Sequence, residues 1–99
     1  MSHTTMREVG ASGTGRYLVK RVKAAGGTAE KLTWSKRGAP DYLVSWRLNV
    51  LHLVETKAPG KKPRPEQLRD HARRAELGGV VRVLDTPQKI DQYVAWYGE

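Results

Sequence analysis

The first stretch of the chain with a regular hydrophobic pattern predicts a helix. Leu18, Val22 and Ala25 fall at positions i, i+4 and i+7, which places them on one face of a helix that begins near Thr14. Residues 1–13 are rich in Ser, Thr and Gly and hold few apolar anchors. We therefore predict that they form a flexible N-terminal arm ahead of the first helix.

Two further helices are predicted in the second half of the chain. Pro65 suits the first turn of a helix. The buried side of that helix is expected to consist of Leu68, Ala72 and Ala75. Thr86 is a favourable N-cap for the last helix, because Pro87 follows it at the first helical position. The apolar face of the last helix comprises Ile90, Tyr93, Val94 and Tyr97.

Four segments have the composition of β-strands. Residues 28–34 and 80–84 fit short strands, while residues 41–46 and 50–57 are rich in Val, Leu, Tyr and Trp on both faces. Strands that are apolar on both faces are typical of a sheet covered by helices on both sides. We therefore expect an α/β fold in a single domain, residues 14–99, with a small mixed sheet flanked by helices in the order αβββαβα.

The second and third strands fit a hairpin that brings charged residues together. A three-residue loop at 47–49, whose final asparagine tolerates a left-handed conformation, sets the register of the hairpin over residues 41–57. In that register Asp41 lies opposite Glu55. Because side chains alternate between faces, Lys57 projects from the same face as these two carboxylates.

Two opposed carboxylates destabilise a sheet unless a ligand offsets their repulsion. Mg²⁺ or Mn²⁺ fits this requirement, because such cations bind one or two carboxylates and keep waters and a phosphate as other ligands. We predict a metal site formed by Asp41, Glu55 and the backbone carbonyl of Thr56. Lys57 would then lie beside the attacking water and the scissile phosphate. Taken alone, the motif also fits ordinary solvent-facing charges at strand ends.

The overall charge points to a polyanionic partner. The 99 residues include 18 Lys and Arg against 10 Asp and Glu, which gives a net charge of +8 and a pI of about 10.1. Nucleic acid is therefore the favoured partner. The absence of cysteine excludes disulfides, thiolate metal ligands and a cysteine nucleophile. We expect a cytoplasmic protein, since neither a signal-peptide pattern nor a membrane-spanning apolar run is visible.

Basic residues flank the predicted metal site along the chain. Residues 57–74 carry a net charge of +5 and residues 16–37 carry +6, whereas residues 85–99 carry −2. This asymmetry favours phosphate contacts over ordinary solvated faces. The predicted DNA contacts are Lys31, Lys36, Arg37, Lys61, Lys62, Arg64 and Arg74. For Lys31, a solvent-facing position on a strand is an equal alternative.

Four blocks of sequence, "AAGGTAEK", "RGAPD", "VETKAPGKKPRPEQ" and "LGGVVRVLDT", occur in this order between about Tyr17 and Tyr93. Together they resemble the VRR-NUC family of the PD-(D/E)xK nuclease superfamily. The resemblance implies a restriction-endonuclease-like fold, a Mg²⁺ or Mn²⁺ cofactor and cleavage of DNA phosphodiesters. It also implies likeness to standalone, phage-type members, which are dimers associated with branched DNA such as four-way (Holliday) junctions.

The resemblance also implies roles for individual residues. Asp41 and Glu55 match the family's metal ligands, and Lys57 matches its catalytic lysine. Gln67 matches the glutamine that opens the family's second helix near the active site. From its spacing alone, Gln67 would be only a good helix former.

One position departs from the family pattern. The family carries a glutamate on its first helix, about six residues before the position that Tyr17 matches, and Ala11 stands there in this chain. Either Glu8 supplies this ligand from the N-terminal arm, or the ligand is absent and a second metal site is absent with it.

Two other functions are compatible with the charge of the chain. The first is a non-catalytic, basic nucleic-acid-binding module on the same scaffold, and the second is a binder of an anionic protein. An Asp41→Asn variant discriminates between nuclease and binding module, because it should abolish catalysis and leave DNA binding intact or tighter.

Overall fold

The computed structural model describes residues 11–33 and 38–98. Within them, three helices and four strands follow one another in the predicted order αβββαβα. The elements are α1 (Ala11–Ala24), β1 (Thr28–Lys31), β2 (Tyr42–Trp46), β3 (Val50–Thr56), α2 (Pro65–Glu76), β4 (Val81–Leu84) and α3 (Pro87–Tyr97). None of these helices is long and apolar enough to cross a bilayer.

The strands form one mixed sheet in the order β1-β2-β3-β4. The pairs β1–β2 and β2–β3 are antiparallel, whereas β3 and β4 are parallel. Parallel neighbours need a crossover connection, and α2 provides it between β3 and β4. The predicted α/β fold with a small mixed sheet is confirmed.

The hairpin register is confirmed by the strand pairs. Trp46 pairs with Val50 at the loop end and Tyr42 with Val54 at the other end. In the loop, Asn49 has the predicted left-handed conformation, with φ of 63°. Asp41 lies one residue before the first residue of β2, next to the end of the ladder.

The hydrophobic core lies between one face of the sheet and the helices α1 and α3. Leu18 and Val22 of α1 are fully buried, as the predicted spacing requires. The other buried apolar residues are Tyr42, Val44, Trp46, Val54, Leu84, Ile90, Tyr93 and Val94. Thr86 caps α3 by accepting a hydrogen bond from the Lys89 backbone N–H, which confirms the predicted N-cap.

Helix α1 begins earlier than predicted. It starts at Ala11, so residues 11–13 belong to the helix and not to the predicted arm of residues 1–13. Residues 1–10 lie outside the described part of the chain. Ser12 and Gly13 are weak helix formers and suggested a non-helical arm. Gly15, within the predicted helix, has a packing function. A Cβ atom at Gly15 would overlap the hydroxyl group of Tyr42, so the absence of a side chain lets α1 approach the sheet.

The predicted buried side of α2 is wrong. Leu68 is 55% exposed, and Ala72 and Ala75 are also exposed, whereas Gln67 and Asp70 are buried. The physical reason is the availability of charged partners. Gln67 donates to the buried Glu55 carboxylate of β3, and this contact turns the polar side of α2 toward the sheet. The same side carries Asp70, whose charge is compensated within the helix by Arg74.

Candidate active site

Four polar side chains converge where β3 ends. Glu55 is only 2% exposed, although it carries a carboxyl group. Lys57 Nζ lies 3.5 Å from Glu55 Oε2, and the side-chain amide of Gln67 donates to the same oxygen at 2.9 Å. Asp41 lies close enough for its charge to raise the pKa of Glu55. The structure therefore brings together the four residues that we predicted to be catalytic.

Asp41 is held in place by the end of β3. Its Oδ2 accepts hydrogen bonds from the Thr56 hydroxyl at 3.1 Å and from the Thr56 backbone N–H at 3.3 Å. Its backbone carbonyl accepts the N–H of Leu32 at 2.7 Å. From the sequence, only the Thr56 carbonyl was predicted to contribute to the site, as a metal ligand, and the contact of its hydroxyl with Asp41 was not predicted. Thr is common in strands for its shape alone, so composition provides no signal for this contact.

Gln67 connects α2 to the site through both ends of its amide. Its Oε1 accepts the Arg64 backbone N–H at 2.8 Å, while its Nε2 donates to Glu55. The first bond satisfies a backbone donor at the start of α2, and the second orients the carboxylate. The orientation of the amide is therefore determined by its two partners.

The loop before Asp41 packs against the start of α2. Gly38 has φ of 87°, a conformation that favours glycine, and a Cβ atom there would lie 2.8 Å from the Glu66 carbonyl oxygen. Pro40, the residue before Asp41, is fully buried. The glycine thus allows the loop and the helix to come together, which places Asp41 and Gln67 on the same side of the sheet.

The electrostatics of the site are those of a buried, crowded carboxylate. Burial raises the pKa of Glu55 from 4.5 to about 7, and the negative charge of Asp41 acts in the same direction. Lys57 and Gln67 oppose the shift. Glu55 Oε1 is buried and has no hydrogen-bond partner among the described residues. A buried oxygen without a partner, next to a second carboxylate, favours binding of a cation.

The donor set fits Mg²⁺ or Mn²⁺. These cations bind oxygen and are commonly held by one or two carboxylates, with waters and substrate phosphates as the other ligands. Asp41 and Glu55 provide two carboxylates, and the unpartnered Oε1 of Glu55 is a free ligand position. Within residues 11–33 and 38–98, no group of three or more His, Cys, Asp or Glu residues could hold a metal. The role of the Thr56 carbonyl stays a prediction.

The predicted DNA-binding residues differ in their surroundings. Lys61, Lys62 and Arg64 are exposed in the loop before α2. Lys31 Nζ lies 5.6 Å from the centre of the Tyr42 ring. The side chain of Arg74 is 20% exposed, and its Nε donates to the buried Asp70 carboxylate at 2.6 Å. Lys36, Arg37 and Glu8 lie outside the described residues. Contact with DNA stays a prediction for every one of these basic residues.

Two relatives place the chain among known proteins. No protein-family model matches it. A protein of Acyrthosiphon pisum secondary endosymbiont phage 1, named "Putative nuclease p44", is 44% identical over 82 residues, which cover 82% of this chain and 88% of the phage protein. A solved structure described as "VRR_NUC domain" matches with a TM-score of 0.79 and 34% identity, over 88% of this chain and 96% of that chain. The similarity thus extends over most of both chains in each pair.

Proposed function

Because the chain belongs to the VRR-NUC family of the PD-(D/E)xK nuclease superfamily, we propose that it is a Mg²⁺- or Mn²⁺-dependent endonuclease that hydrolyses DNA phosphodiester bonds. The observation that supports this most is the buried Glu55 carboxylate beside Asp41. One of its oxygens, Oε2, is contacted by both the Lys57 amine and the Gln67 amide. The likeness to standalone, phage-type family members supports branched DNA, such as four-way (Holliday) junctions, as the preferred substrate.

Each residue of the site has a defined task in this proposal. Asp41, Glu55 and the Thr56 carbonyl would hold the cation. When bound, the cation would activate a water molecule and neutralise charge on the phosphate. Lys57 carries a positive charge 3.5 Å from Glu55 and stabilises negative charge on the phosphoryl oxygens during attack. Gln67 keeps the Glu55 carboxylate aimed at the site, and the Thr56 hydroxyl does the same for Asp41.

The basic residues extend the site into a DNA-binding surface. The exposed Lys61, Lys62 and Arg64 lie between β3 and α2, a few residues after Lys57 along the chain. We assign phosphate contacts to them and to Lys31, Lys36, Arg37 and Arg74. Each phosphate neutralised by such a residue adds to the salt dependence of binding, so affinity should fall steeply as salt is raised.

A homodimer completes the proposal. Leu51, Leu77 and Val80 are 59%, 82% and 42% exposed, and Leu51 and Val80 line a groove of about 370 Å³ on the side of the sheet that carries Glu55. The residues that line this groove are Leu, Val, Gly and His, without a charged side chain among those described. Such a surface in a chain of net charge +8 suits an apolar contact with a second copy. We place the protein in the cytoplasm.

The decisive experiment compares cleavage by the wild type with cleavage by Asp41→Asn. Labelled four-way junction, flap, nicked duplex and linear duplex are incubated with Mg²⁺, with Mn²⁺ or with EDTA. We expect cleavage by the wild type only with metal, and a loss of at least about a hundredfold in the variant with DNA binding retained.

The matched control is Asp91→Asn, which changes an aspartate that pairs with Arg21 on the surface between α1 and α3. It should cleave like the wild type. An Asp41→Asn variant that cuts at the wild-type rate would rule out the metal assignment, and cleavage that EDTA does not affect would rule out the mechanism. Equal cleavage of all four substrates would contradict junction selectivity alone.

A further inference from the structure

A groove of about 450 Å³ lies between β4 and α3, on the outer edge of the sheet. Leu84 forms part of its lining. Its other lining residues are Arg82, Lys89, Gln92, Tyr93, Trp96 and Tyr97. We call this the α3 groove. None of these residues belongs to the proposed active site, and three of them are aromatic.

The aromatic residues of the α3 groove differ in how firmly they are held. Tyr97 packs against His52 with ring centres 4.5 Å apart, and its hydroxyl accepts a hydrogen bond from Arg82 at 2.7 Å. Tyr93 is buried. Trp96, in contrast, is 82% exposed. The groove therefore has a firmly held aromatic wall and, at its rim, a large flat ring that is open to solvent.

The polar residues of the α3 groove favour an anionic ligand with a hydrogen-bonding edge. Arg82 and Lys89 provide two cations, and none of the described lining residues is acidic. The Lys89 side chain is 57% exposed, although its Nζ lies 2.9 Å from Asp85 Oδ1. Gln92 is exposed and offers both a donor and an acceptor. A nucleotide presents the matching groups, namely a flat base with polar edges and a phosphate.

The α3 groove is connected through the backbone to the strand end that carries the proposed active site, although the two lie on opposite faces of the sheet. The backbone carbonyl of Leu84 accepts the N–H of Lys57 at 3.2 Å, so the lining of the groove is joined to the residue that carries the catalytic amine. The backbone of Gly60 lies close enough to the Asp85 side chain to help lower the pKa of its carboxyl group, and Asp85 in turn contacts Lys89. The loop with the exposed lysines that follow Gly60 is thereby attached to one end of the groove.

We propose that the α3 groove binds an unpaired nucleobase of a single-stranded DNA segment, with the base stacked on Trp96 and the neighbouring phosphates near Arg82 and Lys89. This inference rests on the proposed nuclease function for the identity of the polymer. Paired bases are stacked inside a duplex and their faces are not accessible, whereas every unpaired base has a free face for an aromatic ring. The groove would thus favour substrates with unpaired nucleotides.

A second copy of the chain suits the α3 groove less well. Each chain has a net charge of +8, and a symmetric contact would place Arg82 and Lys89 of two copies near one another. Like charges brought together in this way oppose association. A polyanion gains from Arg82, and from Lys89 when a phosphate takes the place of its partner Asp85.

The test measures binding without cleavage. The full-length chain is kept in EDTA, and its affinity for a fluorescent oligothymidylate and for a blunt duplex is measured by anisotropy. We expect Trp96→Ala to weaken binding of the oligothymidylate about tenfold, because stacking of one base contributes about that much, and to change duplex binding less than about twofold. Trp96→Phe keeps an aromatic ring and should recover most of the affinity.

The matched control is Leu48→Ala, at a leucine that is 93% exposed in the hairpin loop. It should bind both ligands like the wild type. Unchanged affinity of Trp96→Ala for the oligothymidylate would overturn the proposal, and so would an equal loss for both ligands. If Trp96→Ala turned a dimer into a monomer in sedimentation, the face would be a protein contact and the proposal would also fail. The anisotropy measurement in EDTA does not depend on cleavage. Failure of the proposed nuclease function would therefore be seen separately, in the metal-dependent cleavage assay.

Discussion

Gln67 and Glu55 are joined by a hydrogen bond of 2.9 Å, from the amide of a helix residue to the carboxylate of a strand residue. The contact connects α2 with the end of β3 inside a buried site. Because the other end of the amide is bound to the backbone of Arg64, the position of Glu55 depends on the start of α2.

Replacement of Gln67 should therefore affect catalysis more than folding. We expect Gln67→Ala to lower the rate of DNA cleavage about tenfold to a hundredfold, because Glu55 loses the group that orients it. Gln88→Ala changes an exposed glutamine at the start of α3 and should leave the rate unchanged. The measurement is single-turnover cleavage at saturating enzyme. A rate within about twofold of wild type would mean that Gln67 is only a capping residue.

The hydroxyl of Thr56 should matter for the same reason. Thr56→Val keeps the shape of the side chain and removes the donor that lies 3.1 Å from Asp41 Oδ2. We expect the concentration of Mg²⁺ needed for half-maximal cleavage to rise about tenfold. Thr56→Ser retains the hydroxyl and should stay close to wild type. If Val and Ser variants responded alike to Mg²⁺, the hydroxyl would not position Asp41.

The raised pKa of Glu55 makes a prediction for the stability of the metal-free protein. A carboxyl group whose pKa rises from 4.5 to about 7 on folding stabilises the fold while it is protonated. This contribution is fully present below pH 4.5 and is lost as the pH rises through about 7, by about 3 kcal/mol in total. Glu55→Gln, which cannot ionise, should therefore gain stability relative to wild type as the pH rises.

Urea unfolding in EDTA at pH 5 and at pH 8.5 measures this difference. Glu76→Gln, at an exposed glutamate of α2, is the matched control and should show no such pH dependence. If the free energies of unfolding of Glu55→Gln and wild type differed by the same amount at both pH values, the pKa of Glu55 would not be raised by burial.

The hydroxyl of Tyr93 should be important for stability. It accepts a hydrogen bond from Trp46 Nε1 at 2.9 Å and lies 2.7 Å from His52 Nδ1, and all three side chains are buried. Tyr93→Phe leaves two buried polar atoms without this partner, so we expect a loss of about 1–3 kcal/mol in the free energy of unfolding.

Tyr17→Phe is the matched control, because the Tyr17 hydroxyl donates to Asp91 at a partly exposed position. Its loss should stay below about 1 kcal/mol, since water can replace the tyrosine as a partner of Asp91. Thermal unfolding at pH 7 compares the two variants. Equal losses in the free energy of unfolding for Tyr93→Phe and Tyr17→Phe would show that the buried hydroxyl is no more important for stability than the partly exposed one.

The parts of the structure that follow from local rules were predictable from the sequence. The register of the hairpin depends on a short loop and on the alternation of side chains, and both are visible in the residues. Once the register is known, Asp41, Glu55 and Lys57 must lie near one another. Gln67 could be assigned only through family resemblance, because its partner Glu55 is twelve residues away in the chain.

One error arose where a contact between distant elements overrides a local pattern. The apolar stripe of α2 predicted the wrong buried side, since the contact of Gln67 with Glu55 joins α2 to β3 and is not visible in the local pattern of the helix. The start of α1 was placed too late, because Ser12 and Gly13 are weak helix formers and resemble the Ser-, Thr- and Gly-rich segment before them.

The orientation of α2 has a consequence for the motions of the protein. The core cluster includes residues of α1, α3 and three strands and none of α2, which is attached mainly through polar contacts. Apolar burial is the larger source of cooperativity between elements, so the backbone amides of α2 should exchange with solvent faster than those of α1 and α3. Gln67 would leave Glu55 in each such opening, so the fraction of molecules with an assembled site would depend on how often this one helix detaches.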